Sequence, residues 1–148
     1  MNKTYTIKEV AEHFSLPIST IRYYDKKGLL PFVSKNSSGY REFTESDLSM
    51  IYTICCLKNT GMKIREIKKY IELCMVGPQT INDRLDILSR HKTQVLARQI
   101  QLEESLKEVN NKIERYSSPQ ANRIIEQQIE LTKRQKLSAN LEDKFKHL

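Results

Sequence analysis

From Thr80 to Tyr116 the chain runs without a single proline or glycine. Alternate steps of four and three from Ile81 land on Leu85, Leu88, Lys92, Val95, Gln99, Leu102, Leu106, Val109, Ile113 and Tyr116, a heptad seam broken only at Lys92 and Gln99. Residues 81–116 thus predict one helix of roughly 54 Å, at about 1.5 Å of rise per residue. A chain of 148 residues is too small to wrap such a helix inside its own core. The seam needs a partner, and the economical one is a second copy of the chain. A single compact domain is thereby excluded. The expected layout is a globular part at 1–76, a dimerisation helix at 77–116 and, past the break Ser117-Ser118-Pro119, an amphipathic tail at 117–148.

The globular part opens with a helix that Thr6 can cap, in which Ile7, Val10, Ala11 and Phe14 stand at the spacing of a buried stripe. It ends near His13 to Ser15, and the short link Ser15-Leu16-Pro17 leads into a second helix from Ile18 to about Lys27, closed by Gly28. Two short helices joined this tightly form a helix-turn-helix candidate. The second helix has two faces. Ile18, Ile21 and Tyr24 turn to one side, and Ser19, Arg22, Tyr23, Lys26 and Lys27 to the other. Cations, hydroxyls and a guanidinium on one face suit phosphates and base edges in a groove.

Next, Leu30-Pro31-Phe32-Val33, the turn-rich Asn36-Ser37-Ser38-Gly39 and Tyr40-Arg41-Glu42-Phe43 read as a small hairpin. Beside a helix-turn-helix this is a wing, with Tyr40 and Arg41 placed to touch a nucleic-acid backbone. Thr44-Glu45-Ser46-Asp47 is a capping box with Asp47 in place of the usual glutamate, and its helix runs to about Thr60, where Gly61 ends it. Leu48, Ile51, Tyr52 and Cys55 form one apolar side of it, and Met50, Ile54 and Leu57 a second. A fourth helix from Lys63 or Ile64 to Met75 carries the stripe Ile64, Ile67, Ile71 and Cys74, and Gly77-Pro78 stops it. Thr80 is the expected cap of the long helix. In the tail, Ile124, Ile125, Ile129, Leu131, Leu137, Leu141, Phe145 and Leu148 mark one or two amphipathic helices.

A net charge of +7 favours a polyanionic partner. The excess is spread: residues 1–44 hold seven Lys/Arg against four Asp/Glu, net +3, and residues 81–116 seven against six, net +1. Met1 to Thr6 is polar and the longest apolar run, Met50 to Leu57, is interrupted by Thr53, so neither a signal peptide nor a membrane span is expected. Three cysteines, with Cys55 and Cys56 adjacent, make a poor disulfide framework and point to the cytoplasm. His13, His91 and His147 have no ligand spacing, and no cysteine follows Cys74, so no metal and no other cofactor is expected. No glycine-rich phosphate loop and no paired acid cluster marks an enzyme, and a thiol enzyme would need Cys56 and His13 in one cleft. A coiled-coil adaptor would account for 81–116 but leave Arg22 to Lys27 and the hairpin without a purpose.

Taken in order, Tyr5-Thr6-Ile7-Lys8-Glu9-Val10-Ala11, Thr20-Ile21-Arg22-Tyr23-Tyr24-Asp25-Lys26-Lys27-Gly28-Leu29-Leu30-Pro31, Gly39-Tyr40-Arg41 and Gly61-Met62-Lys63-Ile64 resemble the MerR family of bacterial transcription regulators. The resemblance covers about residues 5–116. It implies a mainly α fold: a winged helix-turn-helix, a second helix pair, and a long helix forming an antiparallel coiled-coil homodimer. It further implies that Ser19, Thr20, Arg22, Tyr23 and Tyr24, with Lys26, face the major groove and its phosphates, that Tyr40 and Arg41 serve the wing, and that Lys63 meets another phosphate at a helix N-terminus. Such regulators bind promoter DNA between two elements set too far apart and activate RNA polymerase by distorting it, with an effector shifting the balance between two dimer shapes.

Cys56-Leu57-Lys58-Asn59-Thr60-Gly61-Met62 followed by Ile67-Lys68 also resembles the small aldehyde- and electrophile-responsive branch of that family, which makes Cys56 the implied sensor. On the helix wheel Cys55 lies in the core stripe and Cys56 at its edge, beside Tyr52 and Ser49, within reach of a small electrophile. Against this, a helix C-terminus disfavours a thiolate, so activation would need Lys58 or the next helix start nearby. The rival expectation is a small apolar ligand held between tail and coiled coil.

Overall fold

The computed structural model describes residues 3–146. Met1, Asn2, His147 and Leu148, which enter the expectations above, lie outside the described residues. The elements in order are α1 (Ile7–His13), α2 (Ile18–Lys26), β1 (Ser34–Lys35), β2 (Arg41–Glu42), α3 (Glu45–Asn59), α4 (Ile64–Val76), a 3-10 turn over Pro78–Thr80, α5 (Ile81–Ser117) and α6 (Ala121–Ser138).

Local chemistry sets the helix ends. Thr6 accepts from the Glu9 amide while the Glu9 carboxylate reaches back to the Thr6 amide, and Thr44 and Asp47 repeat the arrangement at the start of α3. α2 and α4 begin instead at Pro17 and Lys63, with no side chain capping either first turn. α1, α2, α3 and α6 all end in the same way. The amide two residues past the cap returns to the carbonyl five residues back, as in Leu16 to Ala11, Leu29 to Tyr24, Met62 to Leu57 and Leu141 to Lys136. This ending needs a left-handed residue, supplied by Ser15, Gly28, Gly61 and Asn140. At Gly28 (φ +79°) a Cβ would also come within 3.1 Å of the Lys68 side chain.

The hairpin is shorter than expected. β1 and β2 pair antiparallel with Ser34 opposite Glu42 and Lys35 opposite Arg41. Leu30 to Val33 form no strand, because the Val33 amide turns back to the Leu30 carbonyl and both side chains enter the core. Tyr5 takes the vacant place beside the wing. It exchanges two backbone hydrogen bonds with Phe43, at 2.8 and 2.9 Å, and so pins the N-terminal segment to the wing's base.

The chain divides into two compact units, one up to Ala97 and one from Arg98 onward. In the first, Ile21, Leu29, Phe43, Ile51, Ile54, Ile67 and Ile71 are fully buried, and Ile87 and Leu88 of α5 lie against this core. Tyr52, expected in the buried stripe of α3, is 63% exposed. It stands about 100° around the helix from Ile51, past the edge of the buried arc. Thr80 does not cap α5 as expected. Its hydroxyl lies 2.7 Å from the carbonyls of Leu73 and Gly77 and accepts from Arg84 Nε, while Arg84 Nη2 donates to the Gly77 carbonyl at 2.8 Å. A cation thus closes the C-terminus of α4, where the helix dipole favours it, and fixes the first turn of α5.

α5 spans 37 residues. Its seam is open in the single chain: Leu102, Leu106, Val109, Ile113 and Tyr116 are each more than half exposed. In the second unit α6 is one helix, with Lys133 paired to Asp143 of the segment that follows it.

Candidate nucleic-acid interface

α2 is held by its apolar side. Ile21 is fully buried and Tyr24 only 6% exposed, which turns Ser19, Arg22, Tyr23, Lys26 and Lys27 outward and leaves Thr20 half-buried. Lys27 Nζ stands 5.6 Å from the Tyr23 ring centre and extends the exposed face. Tyr24 does not join that face. Three residues after Ile21, its ring belongs to the core, and burial, followed by the neighbouring Cys55 and Tyr23, pushes its phenol up from the ordinary value.

The wing turn is built by Asn36, whose Oδ1 accepts the amides of Ser38 and Tyr40 at 3.0 and 3.1 Å. Gly39, at φ +84°, completes the reversal. Tyr40 projects from this turn, 73% exposed. Arg41 points the other way. Its Nε and Nη2 each donate to an Asp25 oxygen at 3.0 Å, and Nη1 donates to the Val33 carbonyl. The guanidinium therefore clamps the wing to α2. Asp25 was missed by the sequence reading, although a single acid among Arg22, Lys26 and Lys27 is a signal that could have found it.

Between α2, the wing and residues 4–7 lies a groove of about 480 Å³, with Arg22 and Tyr40 among its walls. Tyr5 is another of its walls; its hydroxyl donates to Glu45, and that bond to a carboxylate pushes the phenol up. Lys63 and Arg65 are exposed at the uncapped start of α4. Exposed cations, a donor-rich helix and two uncapped helix N-termini are what a polyanion needs: charge, hydrogen bonds and dipoles.

All three thiols are free, Cys56 exposed and Cys55 and Cys74 half-buried. Cys56 meets Tyr52 one turn earlier through a side-chain hydrogen bond, the largest influence pushing the Tyr52 phenol up. Burial, then the adjacent Cys56, pushes the Cys55 thiol up. His13 lines a hollow with Phe14, Glu45, Leu48, Ser49 and Tyr52, and Cys56 is not on its wall. Among the described residues no group of three or more His, Cys, Asp or Glu could hold a metal, and no helix is long and apolar enough to cross a membrane. In the second unit, the groove beside the α5–α6 turn is walled mostly by polar side chains, Glu108, Lys112 and Arg115 among them, with Ile124 as its apolar residue.

The sequence pattern of the MerR HTH family of regulatory proteins matches residues 5–74. An uncharacterized HTH-type transcriptional regulator of Haemophilus influenzae is 36% identical over 118 residues, covering 80% of this chain and 87% of that protein. Among solved structures, HiNmlR, a MerR family regulator lacking the sensor domain and crystallised with promoter DNA, is 35% identical with a TM-score of 0.75, over 80% of this chain and 94% of its own. A MerR family regulator from Bacillus thuringiensis is 44% identical with a TM-score of 0.73, over 77% of this chain and all of its own. Catalysis is not the business of these relatives; they are regulators of transcription. With the pattern, the relatives and the winged helix-turn-helix agreeing, the chain belongs to the MerR family of helix-turn-helix transcriptional regulators.

Proposed function

We propose that the protein is a homodimeric promoter-DNA-binding activator in the cytoplasm that distorts its site so that RNA polymerase can use it. The observation that carries this reading is the face of α2, where Arg22, Tyr23 and Lys26 stand outward on a helix anchored by Ile21 and Tyr24. Arg22, with Ser19 and Thr20, reads or grips the major groove. Tyr23, Lys26, Tyr40 and Lys63 hold phosphates, and Arg41 acts by fixing the wing against Asp25. Two such faces are joined by pairing of the exposed α5 seam with a second copy in antiparallel fashion. HiNmlR bound to promoter DNA supports the DNA reading by kinship.

Bending or untwisting a promoter costs on the order of 1–6 kcal/mol, which two anchored heads can supply. The signal is a small electrophile such as an aldehyde, which adds to the Cys56 thiol. The exposure of Cys56 and its contact with Tyr52 support this assignment. Transcription in vitro from a bound promoter, with and without formaldehyde or methylglyoxal, tests both levels. Arg22→Ala is expected to lose promoter binding while keeping its oligomeric state. Cys56→Ser is expected to bind DNA and ignore the aldehyde, and an equal response in Cys56→Ser and wild type refutes the thiol signal.

A further inference from the structure

Among the described residues of α5, a helix of 37 residues, only one is buried, and it is a histidine. His91 is 8% exposed. Its Nε2 lies 2.7 Å from Thr60 Oγ1, at the end of α3, and Thr60 Oγ1 in turn faces two backbone carbonyls of that turn, Cys56 at 2.8 Å and Leu57 at 3.2 Å. A hydroxyl has one proton to give. With that proton on a backbone carbonyl of α3, the contact to His91 is donated by Nε2–H, which leaves Nδ1 to find a partner of its own. Nδ1 is buried and meets no hydrogen-bond partner.

A residue chosen for packing alone would not strand a nitrogen there, because a leucine fills the space without one. Packing is already supplied one turn earlier by Ile87 and Leu88, which lie against the core. What His91 adds is a directional bond to the last turn of α3. α5 is then held in three places: by Arg84 at the end of α4, by Ile87 and Leu88 on the core, and by His91 on Thr60. The third hold is a hydrogen bond onto the turn that carries Cys56. Beside it is a cavity of about 170 Å³ lined by Glu66 and Lys69 of α4 and by Arg90 and Gln94 of α5, which gives the ring room to leave.

We propose that the Thr60–His91 bond is the positioning contact through which the state of the last turn of α3 sets the angle of α5. It rests on the promoter-distorting reading for its output, but it does not require Cys56 to be the sensor. Whatever disturbs that turn, an adduct on Cys56 included, rotates the Thr60 hydroxyl that the Cys56 and Leu57 carbonyls orient, and so loosens or tightens α5 at His91. His91 touches no DNA in this scheme; it acts through the helix it holds.

The test compares Thr60→Val, His91→Leu and their double variant with Thr60→Ser and His91→Gln, which keep a hydroxyl and an Nε donor. Promoter affinity, fluorescence of a 2-aminopurine placed at the centre of the promoter spacer, transcription and melting temperature are read on the full chain. Thr60→Val and His91→Leu are expected to bind within about threefold of wild type, yet to change promoter distortion and transcription by at least about tenfold. The double variant should do no more than either single one, and Thr60→Ser and His91→Gln should restore the wild-type output. His91→Leu should melt no lower than wild type, since it strands no nitrogen. A merely structural role would instead lower melting temperature, affinity and activation together, and that result overturns the proposal, as does unchanged distortion in both single variants. The aldehyde response of Cys56→Ser is read separately, so failure of the thiol signal and failure of this joint are told apart.

Discussion

Arg41 grips Asp25 with two prongs, Nε and Nη2 each at 3.0 Å from a carboxylate oxygen, across the gap between the wing and α2. Both side chains are about 30% exposed, so solvent screens the pair and its share of stability is about 0–1 kcal/mol. Its value lies in geometry. Lysine offers one point of charge and cannot span both oxygens while also reaching the Val33 carbonyl. Arg41→Lys is expected to leave the melting temperature nearly unchanged and weaken promoter binding by about tenfold. Asp25→Asn is the sharper test. It removes a negative charge beside DNA and should tighten binding if charge alone mattered; weaker binding by fluorescence anisotropy identifies the clamp.

Arg22 and Lys26 share the exposed face of α2 but are assigned different work. Arg22→Ala should abolish specific binding, while Lys26→Ala should weaken all sequences alike and reduce the slope of log affinity against log salt by about 0.9 per subunit. Anisotropy titrations across a salt series read both. Equal loss on specific and random DNA for Arg22→Ala would place Arg22 on the backbone instead.

How far the sequence could be read depends on how local each signal is. The cap at Thr6, the capping box at Thr44 and the split of α2 into two faces are settled within one or two turns, and they stand as expected; the Glu9 half of the box at Thr6 is an addition of the structure. Tyr24 is instructive, because its place three residues after Ile21 put it on the core side while the resemblance put it on the groove. The burial follows the periodicity. α3 carries apolar residues nearly all round, so its wheel could not say that Tyr52 faces out while Ile54 faces in. Asp25 and Arg41 are sixteen residues apart and leave no periodic trace. His91 reads like any polar residue of a solvent-facing helix, and its burial comes from elements distant in sequence, Thr60 at the end of α3 and Met62 and α4 among them.

The adjacent thiols should differ in reactivity. Cys56 is exposed, whereas Cys55 is half-buried with its thiol pushed above the ordinary value. A raised value means less thiolate at any given pH, and the thiolate is the nucleophile. Iodoacetamide at pH 8 followed by peptide mass spectrometry should label Cys56 first, by about tenfold or more in rate, with Cys55 catching up only as the pH passes the ordinary thiol range. Faster labelling of Cys55 would remove Cys56 from the sensing role.

The same shifts predict the alkaline limb of stability. Cys55 and Tyr24 are both raised in the folded chain, chiefly by burial. Their neutral forms favour the fold at every pH below their unfolded values, and that contribution is lost as pH climbs from the ordinary thiol and phenol ranges through the raised ones. Urea midpoints should therefore stay level from these two groups through neutral pH and fall above it. Tyr24→Phe should soften the fall at the phenol end; an unchanged alkaline limb in that variant would mean that Tyr24 ionises in the fold without penalty.

The seam of α5 makes the most direct prediction about assembly. Five side chains from Leu102 to Tyr116 are more than half exposed in one chain, and burying each leucine-sized group is worth about 1.5–3 kcal/mol. Leu102→Lys should turn the dimer into a monomer in size-exclusion chromatography with light scattering, and cost promoter affinity because a single head then binds alone. Gln99 makes the complementary case. It stands at the midpoint of Ile81–Ser117, the place that faces its own copy when two equal helices run antiparallel about a two-fold axis. A polar residue there lowers stability but penalises every shifted pairing that would leave it against leucine. Gln99→Leu is therefore expected to tighten the dimer while admitting shifted registers, seen as added disulfide cross-links between cysteines placed one heptad out of register. A tighter dimer with a single cross-link pattern would show that the register is set elsewhere along the seam.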